Sequence, residues 1–166
     1  MQAVAIHVLS EFEPVLDASD QWQAQLVSWA VQVRRYLNQH TYVFNIMGWQ
    51  GHVAVAWLHH LAILSRIIRL SGLRGDALAD AVQWVANTLM GAIYLEVGSR
   101  KFGSRVDLLD VDQLPDQDAE EIAGIMKYLS AKSSAQAFDD NIREVILRVE
   151  AKAAEPGNST SNNTQK

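Results

Sequence analysis

Val53-Ala54-Val55-Ala56-Trp57-Leu58-His59-His60-Leu61-Ala62-Ile63-Leu64-Ser65-Arg66-Ile67-Ile68-Arg69-Leu70 is the most apolar run of this chain, and neither glycine nor proline interrupts it. Its apolar residues go most of the way round a 3.6-residue repeat, which predicts a helix from about Gly51 to Ser71 lying centrally among other helices. Gly72 is its natural terminator, since a residue without a Cβ takes the left-handed conformation at a helix end without strain. A bilayer span needs ~20 predominantly apolar residues. His59, His60, Arg66 and Arg69 break this run, so it reads as a buried helix, and no membrane association is expected.

Working outward, the same periodicity recurs. Trp22, Leu26, Trp29, Val33 and Leu37 or Tyr36 step by four and three, predicting a helix over Ser19 to Gln39 with Ser19 or Asp20 as N-cap. Downstream, Leu78, Val82, Val85, Leu89 and Ile93 predict a helix from an Asp76 N-cap to about Val97, stopped by Gly98. Gly91 inside it costs up to ~1 kcal/mol relative to alanine, a cost that close approach of a neighbouring helix would explain. The stretch from Gly98 to Leu114 reads as irregular, with 105–109 as a short extended piece. Two amphipathic helices follow, about 116–132 and 134–152. The second carries Phe138, Ile142, Val145 and Val149 on one stripe and Ser133 or Ser134 as its cap. Past Ala154 there are only Glu, Pro, Gly, Asn, Ser, Thr, Gln and Lys, which predicts a disordered tail. The expected fold is all-α: a single helical bundle of five or six helices over 1–153 and a disordered C-terminal tail over 154–166.

A chain of 166 residues, 49% apolar and 20% charged, has the profile of a globular domain that buries roughly two-thirds of its unfolded surface. Absence of cysteine excludes a disulfide framework, a thiolate nucleophile and any Cys-based metal site. Residues 1–12 lack the basic and apolar regions of a secretory signal, so a cytoplasmic protein is expected and the Asn-x-Thr tripeptides at 158 and 162 read as chance.

Charge is segregated. The formal net charge is -5, yet between Asp20 and Asp76 there is no carboxylate, while Arg34, Arg35, Arg66, Arg69 and Arg74 all fall there. From Val106 to Met126 there are seven carboxylates and neither Lys nor Arg. If successive helices run antiparallel, Arg34, Arg35 and His40 approach Arg100, Lys101 and Arg105, on a loop-like segment able to hold phosphates. Arg66, Arg69 and Arg74 then mark the opposite end. A pI of about 5.4 is far below the value above ~9 usual for a nucleic-acid-binding domain. The other reading is that the Arg-rich block docks on the acidic segment 107–121, its own or a neighbouring subunit's.

Motifs for chemistry are few. His52 and His59 lie two helical turns apart, roughly 10 Å, too far to share one metal ion. His59 and His60 diverge by about 100° round the axis. No metal or other cofactor is expected, and His52, His59, Arg66 and Arg69 form a thin polar stripe instead. The aromatic stretch from His40 to Gly51 reads either as a plug for the bundle end or as a contact surface for protein or stacked bases. Arg35-Tyr36-Leu37-Asn38-Gln39-His40 resembles the Arg-x(4–6)-His motif of the HEPN ribonucleases, an all-helical family that cleaves RNA without metal. The resemblance covers six residues and implies Arg35 and His40 as catalytic. Tyr36 stands where that family usually has Asn, Asp or His. Without the resemblance, the same residues neutralise a helix C-terminus. No nucleophile elbow, phosphate-binding loop or dinucleotide fingerprint occurs.

The expectation for function is a non-catalytic helical subunit of a larger assembly, with other protein subunits as partners, RNA as a further ligand of the arginines, and self-association in scope. A HEPN-like ribonuclease and a phage or plasmid regulatory or structural interaction protein are the alternatives. Helical subunits of this size occur in RNA-guided antiviral defence complexes, an analogy of size and class alone.

Overall fold

In the computed structural model, which describes residues 12–42, 55–102, 115–129 and 132–155, every regular element is a helix. The five are α1 (Trp22–Gln39), α2 (Val55–Arg69), α3 (Gly75–Phe102), α4 (Asp116–Leu129) and α5 (Ser134–Ala154). The fold is an all-α bundle, as the periodicity predicts. Ala154, expected in the tail, closes the last helix; residues 156–166 of that tail, 43–51 of the aromatic stretch and the expected extended piece 105–109 lie outside the described residues.

Four helices make the core. From α1 come Leu26, Trp29, Val33 and Leu37; from α2, Leu64, Ile67 and Ile68; from α3, Val85, Leu89 and Ile93; from α5, Phe138, Ile142, Val145 and Val149, all at most 4% exposed. The polar contacts between helices fix their directions. Gln23 Nε2 donates to Glu150 at 2.8 Å and the Arg34 guanidinium lies 4.6 Å from the Phe138 ring centroid, so α1 and α5 are antiparallel. Lys152 pairs with Asp80 at 3.3 Å and the Arg148 guanidinium lies 4.2 Å over Trp84, so α3 and α5 are antiparallel too. The short link 70–74 turns α2 back into α3.

Chain punctuation departs from expectation in four places. Neither Ser19 nor Asp20 caps α1: its N-cap is Gln21, which makes no side-chain capping bond. The Ser19 N–H and hydroxyl both donate to Asp17 Oδ1, at 2.9 and 2.7 Å, so the polar groups are used in the preceding turn. Asp76 lies inside the first turn of α3 rather than before it, where its charge still complements the helix dipole. Gly98 does not stop α3, which runs four residues further, to Phe102. Only Gly72 and Gly75 take positive φ, 101° and 53°, among the described residues. Gly98 keeps a helical backbone because Ile93 and Val97 hold the turns before it in the core. Finally, a Cβ on Gly91 would meet no atom within 4 Å, so close helix packing does not explain that glycine.

α2, expected at the centre, packs against α1 and α3 and leaves Leu58 54% exposed, while α1 and α3 each pack against the other three core helices. α3 is the longest of the described helices, its 28 residues spanning about 42 Å.

Candidate functional site

Arg34 is not available to a ligand. Its Nε donates to Glu96 Oε2 at 2.7 Å and its Nη2 to Glu96 Oε1 at 3.0 Å, a two-pronged pair in which the carboxylate side chain is 3% exposed. The guanidinium face rests on Phe138, adding a cation–π contact. This pair ties α1 to α3 beside α5, and it shows that the C-terminal ends of α1 and α3 meet, as antiparallel succession requires. Glu96 is the residue that the sequence reading missed. It continues the spacing of Val82, Val85, Leu89 and Ile93, and a carboxylate on an inward stripe signals a buried ion pair.

Arg35 is exposed on α1. His40 follows the helix as its C-cap, its N–H bonded to Tyr36 O at 3.0 Å and its ring centroid 4.4 Å from that of Tyr36. Five positions on a helix are about 140° apart round the axis, and no hydrogen bond joins Arg35 to His40. Arg100 and Lys101 belong to the last turn of α3 rather than to a loop. Arg105 lies outside the described residues.

At the opposite end, Arg74 Nη1 donates to the carbonyls of Arg69 and Leu73, each at 2.7 Å, closing off the C-terminus of α2. Lone carbonyls and the negative end of the helix dipole both favour a cation there. Arg66 and Arg69 are exposed and make no ion pair with a described residue.

An extended strap, residues 12–17, crosses α1 and α2. The Gln32 side-chain amide clamps it by accepting from Val15 N–H at 2.9 Å and donating to Val15 O at 2.8 Å. Phe12 stacks on Tyr36 at 4.4 Å and lies 5.2 Å from the His60 ring, and His60 is a core residue, 1% exposed, whereas His59, Arg66 and Arg69 of the expected polar stripe are exposed and His52 lies outside the described residues. The strap leaves a shallow cleft of about 500 Å³ with Arg66 and His59 on its rim. Among the described residues no group of three His, Cys, Asp or Glu is placed to hold a metal ion. None of the described helices is long and apolar enough to cross a membrane.

A second concavity, about 600 Å³, lies between α2 and α3 and is walled by Trp57, Leu58, Leu61, Leu78, Val82 and Ala86, with no charged side chain in its lining. Among the described residues, α4 supplies neither a core residue nor a partly buried hydrophobic one packed on the core. Its Asp116, Asp118, Glu120 and Glu121 are exposed, and so are Ile125 and Tyr128, at 46% and 74%.

No family model, curated protein or solved structure matches this chain.

Proposed function

We propose that the protein is a non-catalytic helical subunit of a larger macromolecular assembly, binding partner proteins through surfaces that its own core leaves open. The supporting observation is α4: an amphipathic helix with four carboxylates in its first six residues and Ile125 and Tyr128 exposed, with none of its described residues in the core that four other helices form. Apolar side chains on a helix without a core to cover them favour a partner that does. The reading places the protein in the cytoplasm and needs no cofactor. Its test is to express tagged wild type and the double variant Ile125→Asp, Tyr128→Ser in the native host and weigh the isolated complexes. Loss of co-isolated subunits with unchanged circular dichroism is expected, and unaltered complex mass in the variant refutes the role of α4.

RNA is the second reading, favoured by Arg66 and Arg69, exposed and free of ion pairs to described residues. Anisotropy of a labelled single-stranded RNA should then rise with protein, weaken steeply with salt and vanish in Arg66→Glu, Arg69→Glu. Absence of binding at low salt removes it. The HEPN-like alternative requires metal-independent RNA cleavage that His40→Ala abolishes; cleavage that survives this substitution is a contaminant's.

A further inference from the structure

The uncharged groove between α2 and α3 and the acidic helix α4 are complementary surfaces of one chain. We infer that α4 of one copy seats its apolar stripe in the α2–α3 groove of a second copy, with its acidic first half beside Arg69 and Arg74. This deepens the assembly reading by naming one partner, and it rests on that reading's premise that α4 is a docking element.

Shape and polarity agree first. The groove walls are mostly apolar, with Ser65, Gln83 and Asn87 as their polar members, and Leu58 on its rim is 54% exposed, so the described residues leave it open. On α4, Ala119, Ile122 and Ile125 recur at steps of three, forming one narrow stripe. Helix-in-groove recognition uses anchors of this spacing.

Charge then sets the direction. Arg69 stands one turn beyond Ser65 on the α2 wall, and Arg74, whose Nη1 caps the C-terminus of α2, adjoins Gly75, so both arginines belong to one end of the groove. Asp76 shares that end, while Asp80 is held by Lys152 at 3.3 Å. The cations are therefore in excess there. Asp116, Asp118, Glu120 and Glu121 bring α4 in with its N-terminal half toward the arginines and Ile125 toward Trp57 and Leu58. Exchange about a two-fold axis uses both surfaces twice. That doubles the buried area toward the roughly 1,200 Å² that a stable interface requires.

The chain has no cysteine, so engineered thiols report without background. Ile125→Cys in one tagged chain and Leu58→Cys in a differently tagged chain are mixed and gently oxidised. A disulfide-linked heterodimer is expected as the main product, with a sedimentation mass for wild type of twice the 18.5 kDa chain. Arg69→Glu should raise the dimer dissociation constant roughly fivefold, the combined effect of the two weak rim ion pairs that the two-fold axis creates. Failure of the mixed chains to cross-link overturns the inference, and so does a disulfide that closes only within a single chain carrying both cysteines. If the chains fail to cross-link while other proteins still co-isolate with the wild type, the exchange is wrong and the assembly reading survives. A monomer that binds nothing removes both.

Discussion

Truncating Arg34 strips two hydrogen bonds from a carboxylate that is 3% exposed and removes the cation resting on Phe138. Arg34→Ala should therefore destabilise the fold on the order of 3–5 kcal/mol, the cost of breaking one side of a buried pair. A urea melt checks it, and a loss below about 1 kcal/mol would show that the pair is solvated. The same scale explains why Arg34 was read from sequence as part of a phosphate-binding surface. Its charge is visible in the chain, but the partner is 62 residues away on another helix, and only packing brings the two together. Gly91 gives the opposite sign. With open space around its missing Cβ and a helical backbone, Gly91→Ala should stabilise by up to ~1 kcal/mol. An unchanged or lowered melting temperature would mean that the surface there is used for contact.

Element by element, the helices were legible because their apolar steps of three and four are local, and so were α5's buried stripe and its cap. Ser133 Oγ accepts from Gln136 N–H at 3.2 Å and the Gln136 side chain accepts from Ser133 N–H at 2.9 Å, a complete capping box. Ser133→Ala should cost ~1 kcal/mol. Nearby, a hydrogen bond from Lys132 at 2.6 Å, with that ammonium's charge and Arg143's, holds the Asp140 carboxyl below its ordinary range. Its stabilising contribution is present above the unfolded carboxylate pKa and is lost as pH falls through the lowered folded value. In a carbon-13 titration, Lys132→Ala should raise the Asp140 midpoint toward an ordinary carboxylate's; no movement would mean that the contact is not populated in solution. Helix ends were less legible. Gly98 looks like a stop in sequence, but a glycine ends a helix only when its φ turns positive, and the core contacts of Ile93 and Val97 decide otherwise.

Across the whole molecule, the antiparallel turn of α2 into α3 could be read from the short link 70–74. That α1 and α3 each pack on three other helices, and that none of α4's described residues joins the core, could not. Both depend on which apolar faces meet, and α4's periodicity resembles that of the helices that are packed. The segregated charge was the long-range signal, and it survives in altered form. Arg34 is used internally, while Arg66 and Arg69 stay exposed at one end and the carboxylates of α4 stay exposed on another helix. An amphipathic helix with none of its described residues in the core is the feature on which the proposed assembly role rests. Native mass spectrometry of the protein isolated from its own host, with absorbance recorded on the same sample, tests this most directly. The account predicts a defined complex containing at least a second polypeptide, with excess absorbance at 260 nm if RNA is among the partners. A free monomer without protein or nucleic acid bound would contradict it.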